Sequence, residues 1–136
     1  MSEKNLESSL KSENLKSNFF HKELATGGWQ KYSLVEQMAN IGSEVHRAIK
    51  RFKEKDEDRL KNAFYRALEL FDLTLMDNRW QGRRKEIARS REVFCSVMLD
   101  SHLYPDLKKE FESLEKYYMW FAIKARSEKD KQNSQT

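Results

Sequence analysis

The chain has 136 residues, one domain by length and long enough to bury a core without disulfides or metal. Four glycines, one proline and 35% charged residues leave few turn signals and many helix formers, so the composition predicts an all-α fold. The net charge of +4 is mild, and a single cysteine, Cys95, excludes an internal disulfide and suits a reducing compartment.

Residues 1–28 are poor in apolar side chains, with four Lys against four Glu, and read as a flexible N-terminal arm that ends at Gly27 and Gly28. No apolar run of signal-peptide length opens the chain, and none approaches a membrane span. The expectation is a soluble cytoplasmic protein with no membrane partner. Residues 29–126 read as a four-helix bundle and residues 127–136 as a disordered C-terminal tail.

The first helix begins at "YSLVE", where Ser33 and Glu36 have capping-box spacing. Its apolar stripe is Leu34, Val35, Met38, Ile41, Gly42, Val45, Ile49 and Phe52. Gly42 on that stripe costs up to about 1 kcal/mol relative to alanine, which points to close approach of a neighbouring helix. The second helix starts near "DEDRL", where acids suit the positive helix start, and carries Leu60, Ala63, Phe64, Ala67, Leu68, Phe71, Thr74 and Leu75. "MDNRWQG" is a short connection, with Asp77 or Asn78 as the cap of a third helix that carries Ile87, Ala88, Phe94, Cys95 and Met98. The fourth helix runs from about Pro105, with Leu107, Phe111, Leu114, Tyr118, Phe121, Ala122 and Ala125 as its stripe. Short connections predict an antiparallel up-down-up-down four-helix bundle.

Arg91 interrupts the third stripe. At roughly 100° per residue it falls near the middle of the arc from Ile87 to Cys95. A lone buried guanidinium is prohibitive, so it needs a carboxylate or a path to water. Counting outward from the turns makes Glu44 the nearest acid, with Glu69 as a second possibility, and the expectation is a bidentate, largely desolvated Arg91–Glu44 pair. Such a pair fixes helix register. A second reading joins Glu44, Asp72 and Arg91 into a buried polar network or pocket for a small anion or nucleotide, in an enzyme or sensor.

Patterns of catalysis and metal binding are scarce. None of His21, His46 and His102 has a Glu three residues before it, as di-iron bundles require. No P-loop, dinucleotide fingerprint or nucleophile elbow occurs, so no catalytic residue, metal site or cofactor is expected. "ELFD" places Glu69 and Asp72 one turn apart, as all-α nucleotide pyrophosphohydrolases do to hold Mg²⁺. The matching pair would be Glu54 and Glu57, which spans an inter-helix turn. HEPN-type bundles, several of them ribonucleases, need a His four to six residues after an Arg, whereas His102 lies too far from Arg91.

Cationic residues come in two clusters. His46–Lys55 holds five Lys or Arg against one Glu at the end of the first helix, where cations complement the macrodipole. Arg79–Arg91 holds six against one and opens the third helix, where cations oppose it. Helix start and arginines together make a phosphate site, and Trp80 adds a stacking surface for an unpaired base. Arg79, Trp80, Arg83, Arg84, Lys85 and Arg89 are therefore the candidate contacts to RNA or single-stranded DNA. The aromatic run "KYYMWFAIKAR" is chiefly core, but Met119 and Trp120 lie off the stripe centre and suit a protein partner or a homo-oligomer.

The segments "SLVEQMANIGSEVHRAI", "RALELFDLTLMDNRW" and "GRRKEIARSREVFC" resemble an uncharacterised family of small all-helical conserved proteins of bacteria and archaea, over residues 28–126. The resemblance implies a prokaryotic cytoplasmic domain and carries over no activity and no site residue. In architecture alone the chain also resembles the four-helix-bundle proteins associated with ribosomal RNA inserts and with retroelement accessory factors, which assemble as rings and bind nucleic acid. The expected function is a non-enzymatic binding or interaction protein, with nucleic acid as the sharper version.

Overall fold

A computed structural model describes residues 27–134. The expected N-terminal arm lies outside the described residues except for Gly27 and Gly28, and so do the last two residues of the expected tail. The described residues are all helical: four α-helices and three 3₁₀ turns, with no strand among them.

α1 spans Leu34–Lys53. Ser33 Oγ accepts the Glu36 N–H at 3.2 Å and Glu36 Oε1 accepts the Ser33 N–H at 3.1 Å, the reciprocal box that its sequence spacing predicts. The helix ends in a Schellman arrangement: Lys55 N–H bonds the Phe52 carbonyl and Asp56 N–H bonds the Arg51 carbonyl. Lys55 takes the left-handed position with φ 58°, where glycine is usual.

α2 spans Glu57–Leu75, capped by Asp56, whose carboxylate accepts the Arg59 N–H. A 3₁₀ turn, Asn78–Arg83, then precedes α3, Arg84–Leu99. The third helix therefore starts later than the cap at Asp77 or Asn78 implies. Asp77 caps the 3₁₀ turn instead, and Trp80 at φ −104°, ψ 22° interrupts the helical path. α4 spans Leu107–Ser134. Asp106 accepts the Lys109 N–H and caps it, so Pro105 precedes the cap rather than opening the helix. α4 also continues through residues 127–134, which the sequence reading assigned to a disordered tail. "SEKDKQNS" holds no helix breaker, so hydrogen bonding extends the helix into solvent without a packed face.

α1 packs most extensively against α2 and α4, and α3 packs against α2 and α4. Gly42, His46 and Phe52 of α1 meet Tyr118, Glu115 and Phe111 of α4, ascending on one helix as they descend on the other. Between α2 and α3, Phe64 stacks on Phe94 at 5.3 Å and Phe71 tilts against the same ring at 6.2 Å. These three rings are fully buried, each contributing about 1.5–3 kcal/mol of transfer free energy. The close approach expected at Gly42 is present: a β-carbon there would lie 2.6 Å from Tyr118 Cβ.

Burial rotates the α3 stripe away from the expected one. Val97, absent from that stripe, is fully buried with Ile87, Phe94 and Met98. Helical geometry then carries the centre of the face roughly 50–70° toward Ser90 and leaves Arg91 on the rim. Ser90 Oγ and Tyr118 Oη share a 2.7 Å hydrogen bond there. Burial pushes the Tyr118 phenol well above its ordinary range.

Candidate nucleic-acid interface

Asp77 organises the start of the cationic segment. It is only 3% exposed, and a buried carboxylate needs charge-assisted partners. Arg79 supplies them in a fork, Nε to Oδ1 at 3.0 Å and Nη2 to Oδ2 at 2.7 Å. Those bonds hold the Asp77 carboxyl below the usual carboxylate range, against the opposing effect of burial. Arg79 Nη2 also donates to the Tyr32 carbonyl at 2.9 Å, and its guanidinium lies 4.5 Å from the Trp80 ring centroid.

Gln37, fully buried on α1, joins the two ends of this network. Its side-chain amide donates to the Trp29 carbonyl at 2.9 Å, and its Oε1 accepts the Trp80 indole N–H at 2.9 Å. The Trp29 indole N–H donates in turn to Thr74 Oγ1 at 2.9 Å. The polar atoms of this hub are thus mutually satisfied, and the hub ties the Gly28–Lys31 turn, α1, α2 and the Asn78–Arg83 turn together.

The six expected contact residues therefore divide. Arg79 is taken up by Asp77 and the Tyr32 carbonyl although its side chain is 43% exposed, and the half-buried Trp80 is taken up by Gln37. Arg84 is half-buried and donates Nε–H to the Leu75 carbonyl at 3.0 Å, satisfying an orphan acceptor at the end of α2. Arg83 is exposed and paired with Glu86 at 2.9 Å across one helical turn. Lys85 and Arg89 are exposed one turn apart on α3, with no ion partner among the described residues.

Sequence reasoning missed what lies beside Arg89. Arg89, Ser90 and Val93 of α3 face Glu110, Ser113 and Tyr117 of α4 across a groove of about 330 Å³. Tyr117 is 38% exposed there, and burial with the nearby Glu86 carboxylate raises its phenol, so it remains a hydrogen-bond donor at neutral pH. The available sequence signal is its place one residue off the Leu114–Tyr118–Phe121 stripe.

The expected Arg91–Glu44 pair does not form. Arg91 Nε donates to Asp72 Oδ1 at 3.0 Å, with Asp72 56% exposed, while Glu44 Oε1 accepts from Arg47 Nη1 at 2.8 Å. α3 packs on α2 and α4 rather than α1, so the guanidinium reaches its surface partner on α2 while its stem covers apolar surface. Glu44, Asp72 and Arg91 thus belong to two separate ion pairs. Glu44 Oε2 is buried with no hydrogen-bond partner among the described residues. Burial raises the Cys95 thiol, with the Arg91 charge opposing, so it remains a protonated small side chain beside the core.

No family model, curated protein or solved structure matches this chain. Among the described residues no helix is long and apolar enough to cross a membrane, and no three His, Cys, Asp or Glu side chains form a group that could hold a metal.

Proposed function

We propose that this protein is a non-enzymatic cytoplasmic binding module, an up-down-up-down four-helix bundle that takes RNA or single-stranded DNA along the α3 side. The observation that carries the reading is the pair Lys85 and Arg89, exposed cations one turn apart on α3 without an ion partner among the described residues, of which Arg89 lines the α3–α4 groove. Cations near a helix start oppose the macrodipole and are repaid by an anionic ligand. Arg83 extends the row, and the Tyr117 ring takes the stacking role that the occupied Trp80 cannot fill. The reciprocal order of the α1–α4 contacts supports the up-down topology.

The same reading includes self-association or a protein partner. α4 exposes Met119, Trp120 and Ile123 at 57%, 58% and 64%, a large apolar area for one helix face. Sedimentation of wild type against Trp120→Lys checks that part.

Fluorescence anisotropy with labelled single-stranded RNA and DNA at three salt concentrations tests the nucleic-acid part. Wild type is expected to give a steep log–log salt dependence. In Lys85→Glu/Arg89→Glu the slope is expected to fall by about 0.7 for each lost phosphate contact. Absence of binding at low salt, or a slope unchanged in the variant, refutes it.

A further inference from the structure

Packing of α2 on α1 creates a second cationic feature that neither helix shows alone. Arg47 and Arg51 lie one turn apart on α1. Arg59, Asn62 and Arg66 recur at helical spacing on α2. Together they line a cleft of about 250 Å³ between the two helices, with the buried Ala63 among its walls. Four guanidinium groups from two elements thus border one opening.

Each of three arginines is steadied by a carboxylate three residues away on the chain: Arg47 by Glu44 at 2.8 Å, Arg51 by Glu54 at 3.0 Å and Arg59 by Asp56 at 3.6 Å. These pairs hold the long side chains in place and consume little of their donor capacity. A guanidinium has five N–H donors, and one monodentate carboxylate contact leaves most of them available. Arg51 is three-quarters buried, so its charge acts at reduced dielectric screening, whereas Arg47 and Arg59 remain more than half exposed. The N–H donors these pairs leave over, rather than uncompensated charge, are what the cleft offers an anion.

We infer that the α1–α2 cleft is a phosphoryl-binding site, in which Arg47 and Arg51 from one side and Arg59 and Arg66 from the other hold adjacent phosphate groups. Guanidinium forks match phosphate oxygens in bidentate geometry, and the cleft accommodates phosphates but is smaller than the usual pocket for a drug-sized ligand. The phosphates are either those of a free polyphosphate chain or those of a nucleic-acid backbone. The cleft shares no residue with the α3–α4 groove, so the site stands independently of the function proposed above.

The full chain is titrated with inorganic tripolyphosphate by calorimetry and with a labelled oligothymidylate by anisotropy. Wild type, Arg51→Glu/Arg59→Glu, Arg51→Lys/Arg59→Lys and Lys85→Glu/Arg89→Glu run in parallel. Tripolyphosphate affinity is expected to fall roughly tenfold or more in the Glu variant, the scale of one lost charged hydrogen bond. The Lys variant keeps the charge and the fold but lacks the fork, and is expected to show an intermediate loss. The Lys85/Arg89 variant is expected to bind tripolyphosphate as wild type does. A parallel loss of oligothymidylate binding in the cleft variants identifies a nucleic-acid backbone as the source of the phosphates, and an unchanged oligothymidylate affinity identifies a free phosphoryl compound. No heat with wild type, or equal tripolyphosphate affinity in wild type and the Lys variant, overturns the site. Loss of oligothymidylate binding in the Lys85/Arg89 variant alone bears only on the α3 surface.

Discussion

Gly42 on α1 and Tyr118 on α4 meet so closely that a β-carbon at position 42 would lie 2.6 Å from Tyr118 Cβ and 3.2 Å from its Cγ. The obstruction begins at Cβ, whose position follows the α4 backbone, so a rotamer change cannot relieve it. Gly42→Ala gains up to about 1 kcal/mol of helix propensity and loses about 1–3 kcal/mol to overpacking. Net destabilisation in urea unfolding is the expected outcome. A more stable variant would show that the helices separate without cost.

Lys55 holds the left-handed position of the α1 Schellman turn at φ 58°. A side chain there costs about 1–2 kcal/mol that glycine avoids. Lys55→Gly is therefore expected to raise stability by about 1 kcal/mol, less the greater entropy of the unfolded glycine chain. The thermal midpoint should rise, and an unchanged or lower midpoint contradicts the assignment.

Asp77 gives the protein an acid limb. Its carboxyl pKa is lowered from an ordinary 3.8, chiefly by the side-chain bonds from Arg79, so its ionised form favours the folded state. That stability is fully present above pH 3.8 and is lost as pH falls through the lower folded value. Unfolding free energy measured between pH 6 and pH 2 should drop across this window in wild type (roughly the range over which carboxylates titrate). In Asp77→Asn the drop should be shallower, from a lower starting point.

Trp80 and Arg79 belong to the stability of the hub. Trp80→Ala leaves Gln37 Oε1 without the indole donor, so a loss of about 1–3 kcal/mol is expected from chemical denaturation. Oligonucleotide affinity of the folded variant should remain near wild type. A large loss of affinity with unchanged stability would return Trp80 to the contact surface.

Arg91 behaves as a surface residue. Its pair with the half-exposed Asp72 is worth at most about 1 kcal/mol, whereas breaking a buried pair costs about 3–5 kcal/mol. Arg91→Gln should therefore shift stability by less than about 1 kcal/mol, a value that double-mutant analysis with Asp72→Asn resolves.

Helix periodicity made α1, α2 and α4 legible, because Leu34 to Ile49, Leu60 to Thr74 and Phe111 to Phe121 repeat at helical spacing. α3 was harder to read. It carries few apolar residues, so counting the half-buried Ala88 and Cys95 in place of the buried Val97 turned the inferred face toward Cys95 and brought Arg91 to its centre. Trp29 escaped for a different reason. A tryptophan after a Gly-Gly pair carries no periodic signal, and its place in the core depends on Gln37 of the next helix and on Thr74, which is distant in the chain. The cationic segment was legible as charge but not as surface. Nothing local distinguishes Arg79, which binds a buried aspartate, from Arg89, which has no ion partner among the described residues.

By itself the sequence determined the all-α class, the capping box at Ser33 and Glu36, and the need for a close neighbour at Gly42. These depend on local hydrogen bonding, propensity and spacing along one helix. Only the tertiary structure decided which carboxylate Arg91 meets, that Trp80 faces Gln37, and that Arg47 and Arg51 share a cleft with Arg59 and Arg66. Those outcomes depend on which helices adjoin and at what rotation. Both are set by the packing of whole apolar faces rather than by any residue's own neighbours in the chain.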